Sequence, residues 1–319
     1  MIIPEFASCL KDKIRTFCTL NYSDGTHYKT PLWVMGSFDR FLSEMHCQEN
    51  YPTRQIIDAY LQSICHLASK TRANYMNPVR QFCLYLALSH PNCCIPDPVS
   101  HAERVHTPYI FTRQEVARLA VQAGKLPPER SFRGLTLKTL FIFLYVTGMR
   151  IGETLALKLK DFYPQNLRLL VFGKFRKTRW VPIKPSTCTA LENYIQLRQE
   201  RTPLTPDAPL FVNIRNRQLS YGAVHTAFQQ LVTQCQIGSG QNPHIHDLRH
   251  SFAVTRLLQW YRDGQEINTR LPSLATYMGH VEIRSTQTYL HATPELKQEI
   301  YQRSLSYVQT HVLKKGGFQ

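Results

Sequence analysis

No apolar run in this chain approaches the roughly 20 residues that a membrane-spanning helix requires. The most apolar stretch, Leu140 to Val146, falls far short, so no membrane partner is expected. Acidic residues are scarce: 22 Asp+Glu stand against 38 Lys+Arg, a formal charge of +16 with a pI near 9.6. That imbalance argues against an acidic surface and for a polyanionic partner such as nucleic acid. Cysteine is present nine times, an odd number, without a single C-x-x-C pair. No secretory leader is read ahead of these thiols, so the expectation is a reducing, cytoplasmic setting with free and mostly buried cysteines. A glycine-rich phosphate loop is missing, so no nucleotide cofactor is implied. Repeats and low-complexity tracts are missing too.

What is there is a globular composition, 43% hydrophobic and 19% charged, over 319 residues, enough for two domains. The charge is uneven. Residues 1–100 hold 9 Lys+Arg and 8 Asp+Glu, whereas residues 101–319 hold 29 and 14. The anion is therefore gripped mainly by the second part.

Residues 1–98 read as a helical domain. Trp33, Phe38, Phe41, Leu42 and Met45 recur at helical spacing. Thr53 is a candidate N-cap for a helix through Ile56, Ile57, Tyr60, Leu61 and Ile64. A further helix opens at Ser69 and runs through Met76, Val79, Phe82 and Leu86, with Lys70, Arg72 and Arg80 forming either one DNA-binding stripe or an ordinary solvated face. Pro91, Pro96, Pro98 and Pro108 mark a stiff connection, and residues 99–108 are read as the linker. Residues 109–319 form the second domain. Thr112 and Glu115 have the spacing of a capping box. A long apolar helix from Leu135 to Val146 ends at Thr147-Gly148. Leu157 to Phe162 alternates as a half-buried strand does, followed by strands at Leu167–Phe172 and Arg179–Ile183 around a basic turn. After residue 185 the pattern is helical nearly to the end. The fold class is thus mainly α with a small antiparallel β-sheet, in two domains.

The stretch Ile245-His246-Asp247-Leu248-Arg249-His250 concentrates three basic groups at the start of a helix whose far side is apolar. Positions i, i+3 and i+4 share a helix face, so His246, Arg249 and His250 are expected to point the same way. An arginine fork and an imidazole at a helix N-terminus suit a phosphate; the local alternative is a satisfied buried histidine beside a solvated arginine. His244, His246 and His250 also suggest a metal cluster, but His244 precedes the helix and no cysteine or carboxylate ligand stands at motif spacing. No metal is expected.

Four motifs occur in order: T-G-M-R-I-G-E at 147–153, V-F-G-K-F-R-K-T-R-W-V-P-I at 171–183, H-D-L-R-H at 246–250, and M-G-H-V-E-I-R-S-T-Q-T-Y-L-H at 278–291. Together they resemble the tyrosine recombinase, or phage integrase, family over about residues 109 to 291. The resemblance implies a DNA strand-exchange enzyme, a site-specific recombinase or integrase without cofactor. Tyr289 would be the nucleophile, Arg150 and Arg249 the phosphate clamps and Lys174 the general acid. His246 would be an acid/base partner and His280 a further phosphate contact. The chemistry agrees. A phenol of pKa near 10 needs its phenolate stabilised, two arginines neutralise a pentacoordinate phosphorus, and a lysine on a turn can protonate a leaving 5′ oxygen. Which basic residue of the turn is the acid rests on the resemblance. Glu153 is expected to orient Arg150, and Arg176, Lys177 and Arg179 to contact DNA beside Lys174.

The long segment from Trp260 to Pro272 looks more like mobile-element integrases than chromosome-dimer resolving enzymes, and implies integration or transposition in a bacterial cytoplasm, associated with the nucleoid. Double-stranded DNA and a homo-tetramer on paired sites are the implied partners, with a monomer or weak oligomer when free. A segment beyond Pro294, with Leu296, Ile300, Leu305 and Val308 at near-helical spacing, would either pack on its own domain or pass to a neighbouring subunit. A type IB topoisomerase and a non-catalytic DNA-binding accessory protein are the alternative functions.

Overall fold

A computed structural model describes residues 3–22, 29–100, 108–128, 131–173, 177–201, 204–238 and 240–279, together with residue 298. The chain divides into two compact units, whose described parts are residues 3–100 and residues 108–279.

The first unit is helical. It contains α1 (Lys11–Tyr22), α2 (Lys29–Glu44), α3 (Arg54–Ser63) and α4 (Ser69–Ala87). Their apolar positions meet in one core around Phe17, Phe38, Tyr60 and Phe82. Phe38 and Tyr60 meet edge to face with ring centroids 4.9 Å apart, a favourable aromatic geometry. Thr53 caps α3 by accepting the Ile56 N–H. The buried Asp39 carboxylate accepts the N–H groups of Ala7 and Ser8 at 2.8 and 3.1 Å, tying down the chain ahead of α1. Because α4 is one continuous helix, Lys70 and Arg72 stand about 200° apart around its axis. Lys70, Arg72 and Arg80 therefore do not line up as one stripe, the alternative to an ordinary solvated face. Arg80 instead donates to the carbonyl of Pro96.

The second unit holds α5 (Arg113–Gly124), α6 (Phe132–Thr147), α7 (Ile151–Ala156), β1 (Phe162–Tyr163), β2 (Arg168–Phe172), β3 (Thr178–Pro182), α8 (Pro185–Gln199), α9 (Tyr221–Gln234), α10 (Ile245–Arg262) and α11 (Ile267–Met278). Thr112 and Glu115 form the capping box of α5. The central element is α6. Phe132, Leu137, Leu140, Phe141, Phe143 and Leu144 are all buried, and α5, α8 and α10 pack around it. A helix apolar on so many sides cannot lie on a surface, so its neighbours' positions follow from it.

The three strands form an antiparallel sheet in the order β1-β2-β3, with Leu169 opposite Val181 and Val171 opposite Arg179. Leu169, Val171 and Val181 are buried. The sequence pattern placed a strand over Leu157–Phe162, but Leu159–Asp161 is a 3-10 turn and only Phe162 and Tyr163 join the sheet. The buried Asp161 accepts the Lys158 N–H at 2.9 Å, and this local bond curls the chain out of extended geometry. The expected helical continuity after residue 185 is also interrupted. Residues 204–220 are irregular, with bridges pairing Lys158 to Pro209 and Val212 to Gln218. Arg198, fully buried, fixes that segment through the carbonyls of Pro209 and Leu210. All nine cysteines are free, and no helix among the described residues is long and apolar enough to cross a membrane.

Gly148 ends α6 in the left-handed conformation, φ 62°. A Cβ there would lie 2.3 Å from Cδ1 of Phe252 on α10. Gly148→Ala is therefore expected to cost about 2–4 kcal/mol through backbone strain and overpacking. Gly152→Ala in α7 serves as the control, since nothing lies within 4 Å of its Cβ position. Urea unfolding of the two variants measures the difference; equal midpoints would contradict the packing argument.

Candidate active site

Three arginines converge on the last carbonyls of α11. The final C=O groups of a helix lack partners within it and carry the negative end of its dipole. Arg179 Nε donates to the Tyr277 carbonyl at 2.9 Å. Arg249 Nη2 donates to Met278 O at 2.7 Å. Arg150 Nη2 donates to Gly279 O at 2.8 Å, and its Nη1 reaches Met278 O at 3.4 Å. Gly279 closes α11 in the left-handed region, φ 68°, where a Cβ would meet the Arg179 guanidinium at 2.8 Å.

Each arginine arrives by a different route. Arg150 stands just ahead of α7, directly after the glycine turn that ends α6. Arg249 lies in the buried face of α10, 2% exposed, and its Nη1 donates to Gly148 O at 2.7 Å. One guanidinium thereby joins the ends of α6 and α11. Arg179 comes from β3.

Glu153 completes the cluster from α7. It is 8% exposed. Its Oε1 accepts from Arg150 Nη1 at 2.9 Å and Arg179 Nη1 at 3.2 Å, and its Oε2 accepts from Arg179 Nη2 at 2.8 Å. Burial alone pushes this carboxyl up, but the hydrogen bonds and charge of Arg179, and then of Arg150, more than reverse it, and its pKa is lowered. Glu153 pairs with two of the three guanidiniums, and three such cations with this one carboxylate leave the cluster net positive. Such a cluster can receive an anion without reorganising, because its side chains are already held.

His246 opens α10 beside this cluster. Its pKa is lowered to about 4, first by the surrounding protein and then by the charges of Arg249 and Arg150. The ring keeps an open edge to solvent, which softens the first cause but leaves both guanidiniums acting in the same direction. The imidazole is therefore neutral at pH 7. The ring of His250 meets it edge to face at 4.8 Å, whereas the Arg249 side chain turns into the protein. The three basic groups at the start of α10 thus separate into a histidine pair and a buried guanidinium.

Arg179 departs from its expected place on the DNA-contacting surface. Directly opposite Val171, it lies on the buried face of the sheet, and all three nitrogens of its guanidinium donate inward. The alternation of β3 carried that signal, since Arg179 and the apolar Val181 are two residues apart. Lys177 is exposed, and its carbonyl accepts the Gly173 N–H at 2.9 Å, closing the base of the hairpin. Lys174, Arg176, His280 and Tyr289 lie outside the described residues.

The fold is shared with solved structures of DNA-recombining proteins. Residues 111–295 match the phage integrase family model, and the chain belongs to that family. A Sinorhizobium fredii protein named as integrase/recombinase y4rE is 30% identical over 91% of this chain and 94% of its own length. Another from the same organism, y4rB, is 34% identical over 73% and 76%. Among solved structures, the Tn1549 transposon integrase in complex with transposon right end DNA superposes with a TM-score of 0.65 at 15% identity, covering 93% of this chain and 99% of that one. XerH site-specific recombinase bound to palindromic difH substrate gives 0.61 at 20% identity, covering 92% and 82%.

The His246 environment makes a direct prediction. Its folded pKa lies below the ordinary value of about 6.5, so the unfolded chain takes up the proton first as pH falls. The stability tied to a neutral His246 is complete above about pH 6.5 and is lost as pH drops toward about 4. Ring-proton NMR should give a midpoint well under the ordinary value, and His246→Gln should flatten the stability profile in that window. An ordinary midpoint would show that the two guanidiniums do not act on the ring.

Proposed function

We propose that this protein is a tyrosine site-specific recombinase that cuts and rejoins double-stranded DNA through a 3′-phosphotyrosyl intermediate. The observation that carries the reading is the placing of Arg150 and Arg249 on one shared carbonyl, Met278 O, immediately before the sequence segment containing His280 and Tyr289. In this reading the two guanidiniums neutralise the non-bridging oxygens of the scissile phosphate. The Tyr289 oxygen attacks phosphorus, and its proton passes to a neutral acceptor, a role that His246 is poised to fill. The bond to the 5′ oxygen breaks as Lys174 protonates it. The reverse reaction with a 5′-hydroxyl from a partner duplex reseals the strand and releases Tyr289. Bond energy stays in the phosphotyrosyl ester, so no nucleotide is consumed. Glu153 orients Arg150, and His280 adds a further phosphate contact.

The first unit then serves as a core-binding domain over 1–98, joined through 99–108 to a catalytic domain over 109–319. Lys70, Arg72 and Arg80 of the former, and Arg176 and Lys177 of the latter, supply contacts to the DNA backbone. The Tn1549 neighbour and the length of the Trp260–Pro272 segment support a mobile-element role, integration or transposition through a Holliday junction in a tetramer, in the bacterial cytoplasm at the nucleoid. Binding therefore precedes assembly, and the protein alone is a monomer or weak oligomer.

Covalent capture tests the chemistry. Wild-type protein incubated with a library of random duplexes should yield SDS-resistant adducts, and sequencing the trapped DNA gives the site. Tyr289→Phe should lose the adducts yet retain binding, since it removes one oxygen and little packing. Lys174→Ala should cleave poorly but recover on a duplex whose leaving oxygen is replaced by sulfur, which needs no proton. Adducts in Tyr289→Phe would overturn the nucleophile, and rescue confined to Lys177→Ala would move the acid to that residue.

Assembly is tested separately. We assign residues 296–319 to a segment exchanged between neighbouring subunits. Deleting them should leave single-site binding unchanged but weaken cooperative binding to paired sites and recombination, read by gel shift and light scattering. A tetrameric complex forming at full-length concentrations would place the segment on its own subunit.

A further inference from the structure

We infer that Arg179 is a positioning residue for strand cleavage, holding Glu153, and through it the Arg150 guanidinium, in register with the C-terminal carbonyls of α11. The inference rests on the recombinase reading above.

The geometry distinguishes this role from a phosphate contact. Arg179 is only 13% exposed in its side chain. Both of its terminal nitrogens are bonded to the Glu153 carboxylate, at 3.2 and 2.8 Å, and Nε holds Tyr277 O at 2.9 Å. Arg249 is buried too, but its terminal nitrogens donate to neutral carbonyls, whereas both terminal nitrogens of Arg179 face an ionised carboxylate that already matches its charge. That carboxylate is the one that Arg150 also uses. Oε1 of Glu153 is shared by the two arginines, and Oε2 also lies 3.4 Å from the Arg150 backbone N–H.

Arg179 thereby limits how much of Glu153 is available to Arg150. With Arg179 in place, Arg150 takes one carboxylate oxygen through Nη1 and directs Nη2 to Gly279 O. Without it, a buried carboxylate facing a single guanidinium is free to pair with it bidentately, the preferred arrangement of such a pair. That would draw Arg150 away from the end of α11 and from its place beside Arg249. The Tyr277 carbonyl would lose its donor in the same step, and burial would carry the Glu153 carboxyl upward. A lysine keeps the charge but has one nitrogen, and cannot bridge a carbonyl and both carboxylate oxygens.

The test uses full-length protein and the duplex recovered by covalent capture, nicked so that the cleaved strand cannot religate. Adduct formation is followed at saturating protein across pH. Arg179→Gln should bind this duplex as wild type does, yet cleave roughly 10–100-fold more slowly, the range for a displaced catalytic group. The acid limb of its rate profile should move to higher pH. Arg179→Lys should recover only part of the rate. Arg179→Gln combined with Glu153→Gln should be no slower than the slower single variant, because the two act through one contact.

Weaker binding with an unchanged rate at saturation, and a salt slope reduced by about 1, would overturn the inference and make Arg179 a backbone contact. Multiplicative losses in the double variant would overturn it as well. A readout without DNA keeps the two readings apart: carbon-13 NMR titration of Glu153 should show a higher midpoint in Arg179→Lys than in wild type. An unchanged midpoint refutes the Arg179–Glu153 linkage whether or not the protein cleaves DNA. Adducts that persist in Tyr289→Phe refute the recombinase reading instead. If Arg179→Gln does not fold, Arg179→Lys carries the same rate and pH comparisons.

Discussion

The end of α11 is the constraint on which the second unit turns. A helix that stops inside a protein leaves carbonyls with no helical partner, and here they are answered by guanidiniums from the turn ahead of α7, from α10 and from β3. Three elements far apart in sequence are drawn to one point by that requirement. Gly148 and Gly279 make the approach possible, because each ends a helix in a conformation and a space that a side chain would not share. The arginines therefore have a structural occupation before any substrate arrives, and the same bonds that stabilise the helix end fix their positions.

Charge balance within the cluster follows from this arrangement. Glu153 is the carboxylate shared by two of the arginines, and it stays ionised because their combined effect outweighs its burial. One carboxylate moderates the repulsion between guanidiniums without cancelling them. The residual positive charge also suppresses protonation of His246, so the pocket pairs permanent cations with a neutral imidazole. A phosphate entering there would relieve the repulsion and raise the histidine's affinity for a proton. Under the proposed function, substrate binding and proton acceptance would be linked through the same two charges, Arg150 and Arg249.

The scaffold behind the cluster is simpler. The largely apolar α6 sets the positions of α5, α8 and α10, and its terminal glycine delivers both the Arg150 turn and a carbonyl for Arg249. The sheet contributes little hydrophobic volume but supplies Arg179 on its buried face. Local bonds decide the departures from pattern. Asp161 curls what alternation would have made a strand, and Arg198 pins an irregular stretch between two helices.

The sequence by itself determined the helices with strong periodicity or caps, such as α3 behind Thr53 and α5 behind the Thr112–Glu115 box, because those signals are local bonds between residues a few positions apart. It also determined the basic character of the second part and the motif order on which the family likeness depends. The tertiary structure decided what each charge does. Arg179 carries the same charge in the sequence as Lys177, yet one is turned into a buried ion pair and the other is exposed. Arg249 and His246 share a helix start, yet one becomes a link between two helix ends and the other a depressed base. Those distinctions arise from burial and from partners more than a hundred residues away, such as Gly148 for Arg249 and Gly279 for Arg150. No window along the chain contains them, because a side chain's direction is settled only when the helix ends it must satisfy have been brought together.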